Sequence, residues 1–94
     1  MEVQYYLDPE TGLAHIYQHG VTEDEVEYVL RMATEESAAQ NHARQTLGQA
    51  LSGRYLRVIH TDGREPGTVF VITAYELQGR QLQAFRRRQR RRGR

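Results

Sequence analysis

The chain has no cysteine in its 94 residues, which removes disulfide frameworks and thiolate metal sites from consideration. It has no lysine either, so all 13 basic residues are arginine. A guanidinium offers a planar fork of donors suited to phosphate or carboxylate, although so uniform a choice equally fits a bias in genomic base composition. No run approaches the roughly 18 apolar residues that signal a membrane-spanning helix. No charged-then-apolar leader opens the sequence, so a soluble, cytoplasmic protein without membrane partners is expected. Internal repeats and dividing linkers are also missing. One small domain with a modest core is the consequence.

What is present is strongly divided by charge. Residues 1–40 carry nine acids against the single base Arg31, a balance of −8. Residues 41–94 carry twelve arginines against Asp62, Glu65 and Glu76, a balance of +9. The net charge of +1 conceals this asymmetry. A basic surface that meets an anion, either nucleic acid or an acidic protein, is the physical implication.

The most strongly specified local feature lies between His15 and Leu30. Gly20 follows His19 where one segment must stop, and glycine accepts the left-handed conformation such a stop often needs. Thr22 and Glu25 have the spacing of a capping box, and Val21 and Val26 that of a hydrophobic staple. Glu23 and Asp24 put negative charge in the first turn, and Val26, Val29, Leu30 and Ala33 repeat at helical spacing. Residues 22–33 are therefore expected to be a helix, with a shorter one before it over 13–19. Residues 3–7 read as a short strand or extended lead-in, and 35–44 as a polar loop.

Beyond residue 44 the period changes to two. Residues 44–50 suggest an edge strand, and 54–61 alternate with Leu56, Val58 and His60 on one face and Tyr55, Arg57 and Ile59 on the other. The β-branched run 68–75 suggests the central strand. A basic helix over about 79–92 follows, with Leu82 and Phe85 as its apolar stripe. The expected fold is α+β: two N-terminal helices, a three-stranded antiparallel sheet and a C-terminal basic helix. Residues 1–86 form the domain and 87–94 an Arg-rich tail.

Three segments, HGVTEDEVEYVL, LGQALSGRYLRVI and VFVITAYELQGRQLQAFRRR, occur in an order that resembles the BrnT-like toxins of the RelE superfamily and the small uncharacterised domains related to them. The resemblance spans roughly residues 13–88. It implies a RelE/BrnT-like fold and a metal-independent endoribonuclease of a type II toxin–antitoxin system, neutralised by an antitoxin that covers it. The chain departs from the pattern at three points. Tyr75 stands where the toxins place Arg, Gln81-Leu82 where they have Glu-Arg, and Phe85 where they have an aromatic hydroxyl. Those departures define the alternative, a catalytically degraded module that binds nucleic acid, the ribosome or another protein.

Metal-free RNA cleavage needs a base for the 2′-hydroxyl, an acid for the leaving oxygen and cations for the phosphorane charge. His19, His60 and Tyr75 are the candidates for proton transfer. Arg54, Arg57, Arg80, Arg86 and Arg87 are the candidates for holding RNA phosphates. His15 and His19 have the i, i+4 spacing that can grip zinc, but no third ligand is evident, so no metal or other cofactor is expected. RNA, with or without the ribosome, a cognate antitoxin and a second copy of the chain are the expected partners.

Overall fold

The computed structural model describes residues 1–92; positions 93–94, the end of the expected Arg-rich tail, lie outside the described residues. In chain order come β1 (Glu2–Tyr5), a 3₁₀ helix (His15–His19), α1 (Glu23–Met32), β2 (Glu35–Ala38), β3 (Arg44–Gln49), β4 (Tyr55–Asp62), β5 (Thr68–Glu76) and α2 (Gly79–Arg92). The five strands form one sheet in the order β1-β5-β4-β3-β2. β1 runs parallel to β5, and every other neighbouring pair is antiparallel.

The class is α+β, but the expected arrangement of two N-terminal helices and a three-stranded antiparallel sheet is not the one observed. The sheet is mixed and has five strands, flanked by two α-helices. The segment expected to be the first helix is only the 3₁₀ helix at His15–His19, stopped by Gly20 at φ 70°. Residues 35–38 are a strand rather than a loop. Glu35, Glu36 and Ser37 have poor intrinsic strand preference, and pairing with β3 overrides it. Charged side chains on such a short edge strand also discourage pairing with other chains. Residues 44–49, expected at an edge, are enclosed between β2 and β4.

α1 begins as its sequence requires. The Glu25 backbone N–H donates to Thr22 Oγ1 at 3.2 Å, and the Thr22 N–H donates back to Glu25 Oε1 at 3.1 Å. Val21 and Val26 are both fully buried, as a staple requires. Val26, Val29 and Leu30 pack with Ile16 on Leu56, Val58, Val71 and Ala74 of the sheet. Gly48 allows this approach, because a Cβ there would lie 3.2 Å from Val29 Cγ1.

The opposite sheet face carries α2. Phe85, the one buried residue of that helix, joins Leu47 and Leu77, with Tyr55 and Leu82 packed against them. Burial of an aromatic ring in such a cluster contributes on the order of 3 kcal/mol, enough to fix a helix that is otherwise polar. α2 continues through residues 87–92, and Arg88 donates two hydrogen bonds to Glu35 at 2.9 and 2.7 Å. Among the described residues no helix is long and apolar enough to cross a membrane.

Candidate functional site

β5 places Tyr75 directly opposite Arg57 of β4. On the sheet face shared with α2, the Arg57 guanidinium lies 5.7 Å from the centre of the Tyr75 ring, within cation–π range. The His19 ring approaches the same tyrosine with centroids 5.9 Å apart. His19 reaches this position because the 3₁₀ helix packs on β5 and ends at the left-handed Gly20. His19, Tyr75, Glu76 and Gln78 line one shallow depression at the end of β5. Tyr75 thus touches two other residues nominated from the sequence, His19 and Arg57, while Arg57 itself lines a separate depression with Leu47, Leu77, Gln81 and Arg88.

Arg57 is half-buried and, among the described residues, has no carboxylate partner. Its Nε is enclosed without an acceptor, and Gln45 Oε1 and Thr73 Oγ1 on the same face are likewise unpaired. Gln45, Ile59 and Thr73 form one cross-strand row, and Leu47, Arg57 and Tyr75 the next. A guanidinium removed from water without a counterion is unfavourable. An anion beside Arg57 would offset that cost.

His60 is elsewhere. It projects from the opposite sheet face, 8% exposed, and its Nε2 shares a 2.8 Å hydrogen bond with Thr46 Oγ1. Burial pushes its imidazole below the usual range. The even alternation of β4 sends His60 inward with Leu56 and Val58, so it does not meet His19 or Tyr75.

Arg54 is also committed. Its Nε and Nη2 donate to Glu25 at 3.1 and 2.9 Å, and Nη2 donates to the Gly20 carbonyl at 2.8 Å. The Arg54 contacts hold the Glu25 carboxyl down at about 2. Arg54 therefore ties the start of α1 to β4 and frames the depression, with Nη1 3.7 Å from Glu76.

The remaining cations lie along α2. Arg80, Arg86 and Arg87 are exposed, and Arg86 lies 5.7 Å from the centre of the Tyr55 ring. Arg86 and Arg90, with Tyr28, Met32, Tyr55 and Phe85, border a groove of about 520 Å³ between the helices.

One pair escaped the sequence reading. Asp8 and His15 flank a tight turn closed by the Leu7–Ala14 bridge, and His15 Nδ1 lies 2.9 Å from Asp8 Oδ1. The Asp8-Pro9-Glu10-Thr11-Gly12 turn signal was available in the sequence. Its closure distance, which brings the carboxylate to the imidazole, was not. Among the described residues no group of three or more His, Cys, Asp or Glu side chains is placed to hold a metal ion. Family models, curated proteins and solved structures give no match to this chain.

Proposed function

We propose that this domain acts on RNA as a metal-independent endoribonuclease of toxin type. The supporting observation is that Tyr75, near the end of β5, contacts both His19 and the unpaired Arg57. Arg57 takes the charge of the scissile phosphate, His19 moves a proton, and the Tyr75 ring holds the two at their spacing and can offer its hydroxyl to the substrate. Phosphate contacts from Arg80, Arg86 and Arg87 supply sequence-independent affinity along α2. His60 and Arg54 have structural roles in this reading. The BrnT-like resemblance of the three sequence segments supports the same chemistry. It also supports cytoplasmic action and control by an antitoxin.

A second reading is favoured by one specific observation. The contact between His19 and Tyr75 is a ring contact with tilted planes and carries no side-chain hydrogen bond. A surface of this kind can bind RNA, alone or on the ribosome, without cleaving it. Expression of the intact protein in a bacterial host, with growth and messenger-RNA ends followed by primer extension, separates the two. Growth arrest with new RNA ends, both lost in Tyr75→Phe or Arg57→Gln, is expected of the nuclease. Normal growth with intact RNA from soluble protein contradicts it and leaves the binding module.

A further inference from the structure

Removing His60 from the site leaves the proposed cleavage short of a proton acceptor. A phenol is ordinarily a poor base near neutral pH, and one imidazole cannot both accept from the 2′-hydroxyl and donate to the leaving oxygen in the same step. A second imidazole stands beside the first. His15 meets His19 edge-on, with ring centroids 5.4 Å apart, and the line continues from His19 to Tyr75.

His15 is also oriented. The Asp8 carboxylate faces its Nδ1 at 2.9 Å, and Gln18 Nε2 donates to the other carboxylate oxygen. The edge of Tyr6 packs against the His15 ring, and the His15 backbone N–H donates to the Tyr6 carbonyl at 2.9 Å. A carboxylate acceptor at Nδ1 fixes that proton on the near side of the ring and leaves the Nε2 lone pair free. The His15 side chain keeps 28% of its exposure while that of Asp8 keeps 13%, so the base is reachable and its orienter is sheltered. A base held by a third group in this way is the arrangement that proton abstraction from a hydroxyl requires.

We propose that His15 is the general base of the cleavage, that Asp8 is its positioning residue, and that His19 is the general acid. The inference rests on the nuclease reading and names the groups that carry it out. The 2′-hydroxyl gives its proton to His15 Nε2 as the 2′-oxygen–phosphorus bond forms. The bond from phosphorus to the 5′-oxygen breaks, and that oxygen takes a proton from His19. The products are a 2′,3′-cyclic phosphate and a 5′-hydroxyl, and exchange with water resets both rings.

Without the carboxylate acceptor the His15 ring is no longer held in the orientation that abstracts the proton, so kcat falls in Asp8→Asn while substrate binding is retained.

The test uses the purified intact chain, EDTA and an end-labelled single-stranded RNA oligonucleotide. His15→Asn preserves a donor for Asp8 but lacks Nε2, and is expected to lower kcat at least 100-fold with KM nearly unchanged. Asp8→Asn is expected to lower kcat about 10-fold with KM nearly unchanged. Thermal unfolding of each variant reports whether the turn is intact, and a fall in kcat at constant KM in Asp8→Asn is a split that a purely structural role would not produce. Wild-type cleavage with unchanged kcat in both variants overturns the dyad while the nuclease stands. Absence of wild-type cleavage overturns the nuclease reading and the dyad with it.

Discussion

Arg54 and Glu25 are joined by two hydrogen bonds across 29 residues of sequence, from Nε at 3.1 Å and from Nη2 at 2.9 Å. The same carboxylate closes the capping box of α1. One ion pair therefore connects the start of the helix to the start of β4, and the guanidinium that the sequence offered to RNA is used for folding.

Acid should expose this contact. The folded protein holds Glu25 at about 2, against an ordinary value of 4.5. The stabilisation is fully present above pH 4.5 and is lost as pH falls toward 2, on the order of 2–3 kcal/mol in total. Glu35, held low by Arg88, loses its contribution in the same direction. Glu25→Gln should be less stable than wild type at pH 7, and the difference should shrink as pH falls through that window. Unfolding midpoints measured between pH 7 and pH 2.5 provide the check. A constant difference would mean that the pair contributes through packing rather than charge.

His60 should act at milder pH and with a distinct cause. Burial lowers its folded pKa below the ordinary 6.5. The unfolded chain therefore takes up the proton first, and stability falls as pH drops from about 6.5 toward the folded value. His60→Gln keeps a polar partner for Thr46 and removes the titration. Its unfolding midpoint should change less between pH 7 and pH 5 than that of wild type, and its RNA affinity should match wild type at pH 7.

Neighbouring arginines on α2 should separate into two behaviours. Arg87 is exposed and, among the described residues, makes no ion pair, whereas Arg88 is bound to Glu35. Arg87→Gln should reduce the slope of log affinity for RNA against log salt by about one unit or less, with little change in stability. Arg88→Gln should lower the unfolding midpoint. Filter binding across a salt series, paired with thermal unfolding, checks both, and a reversed pattern would place the RNA surface on the β2 side of α2.

The β2–β3 hairpin turns at Gln40 to Ala43. The Ala43 N–H donates to the Gln40 carbonyl, and Asn41 and His42 have φ of 57° and 64°. Two consecutive positive φ values mark a type I′ turn, in which glycine is favoured at the second central position. His42→Gly should stabilise the protein by about 0.5–1 kcal/mol. Denaturant unfolding measures it, and a loss of stability would show that the His42 side chain contributes more than its backbone strain.

The same hairpin explains what the sequence could not show. Thr22, Glu25, Val21 and Val26 announce α1 because a cap, its reciprocal bond and its staple are all local. The faces of β4 are equally readable, since Leu56, Val58 and His60 alternate with Tyr55, Arg57 and Ile59. β2 is invisible because Asn41-His42 lacks the expected turn glycine and Glu35–Ala38 acquires its conformation only by pairing. The Thr46 partner of His60 follows from register, which sets Thr46 opposite Val58, two residues before His60 on the same face. His19 and Tyr75 were individually visible as candidates. Their meeting depends on where the 3₁₀ helix lands on β5, a contact between residues more than 50 positions apart.

The most direct test is incubation of the purified protein with single-stranded RNA in EDTA, comparing wild type with His19→Gln. His19 is exposed, so the substitution should leave the unfolding midpoint within a few degrees. The account predicts new ends bearing 2′,3′-cyclic phosphate from wild type, and at least 100-fold slower cleavage by the variant. Equal cleavage by both proteins, or intact RNA with folded wild type, would contradict it.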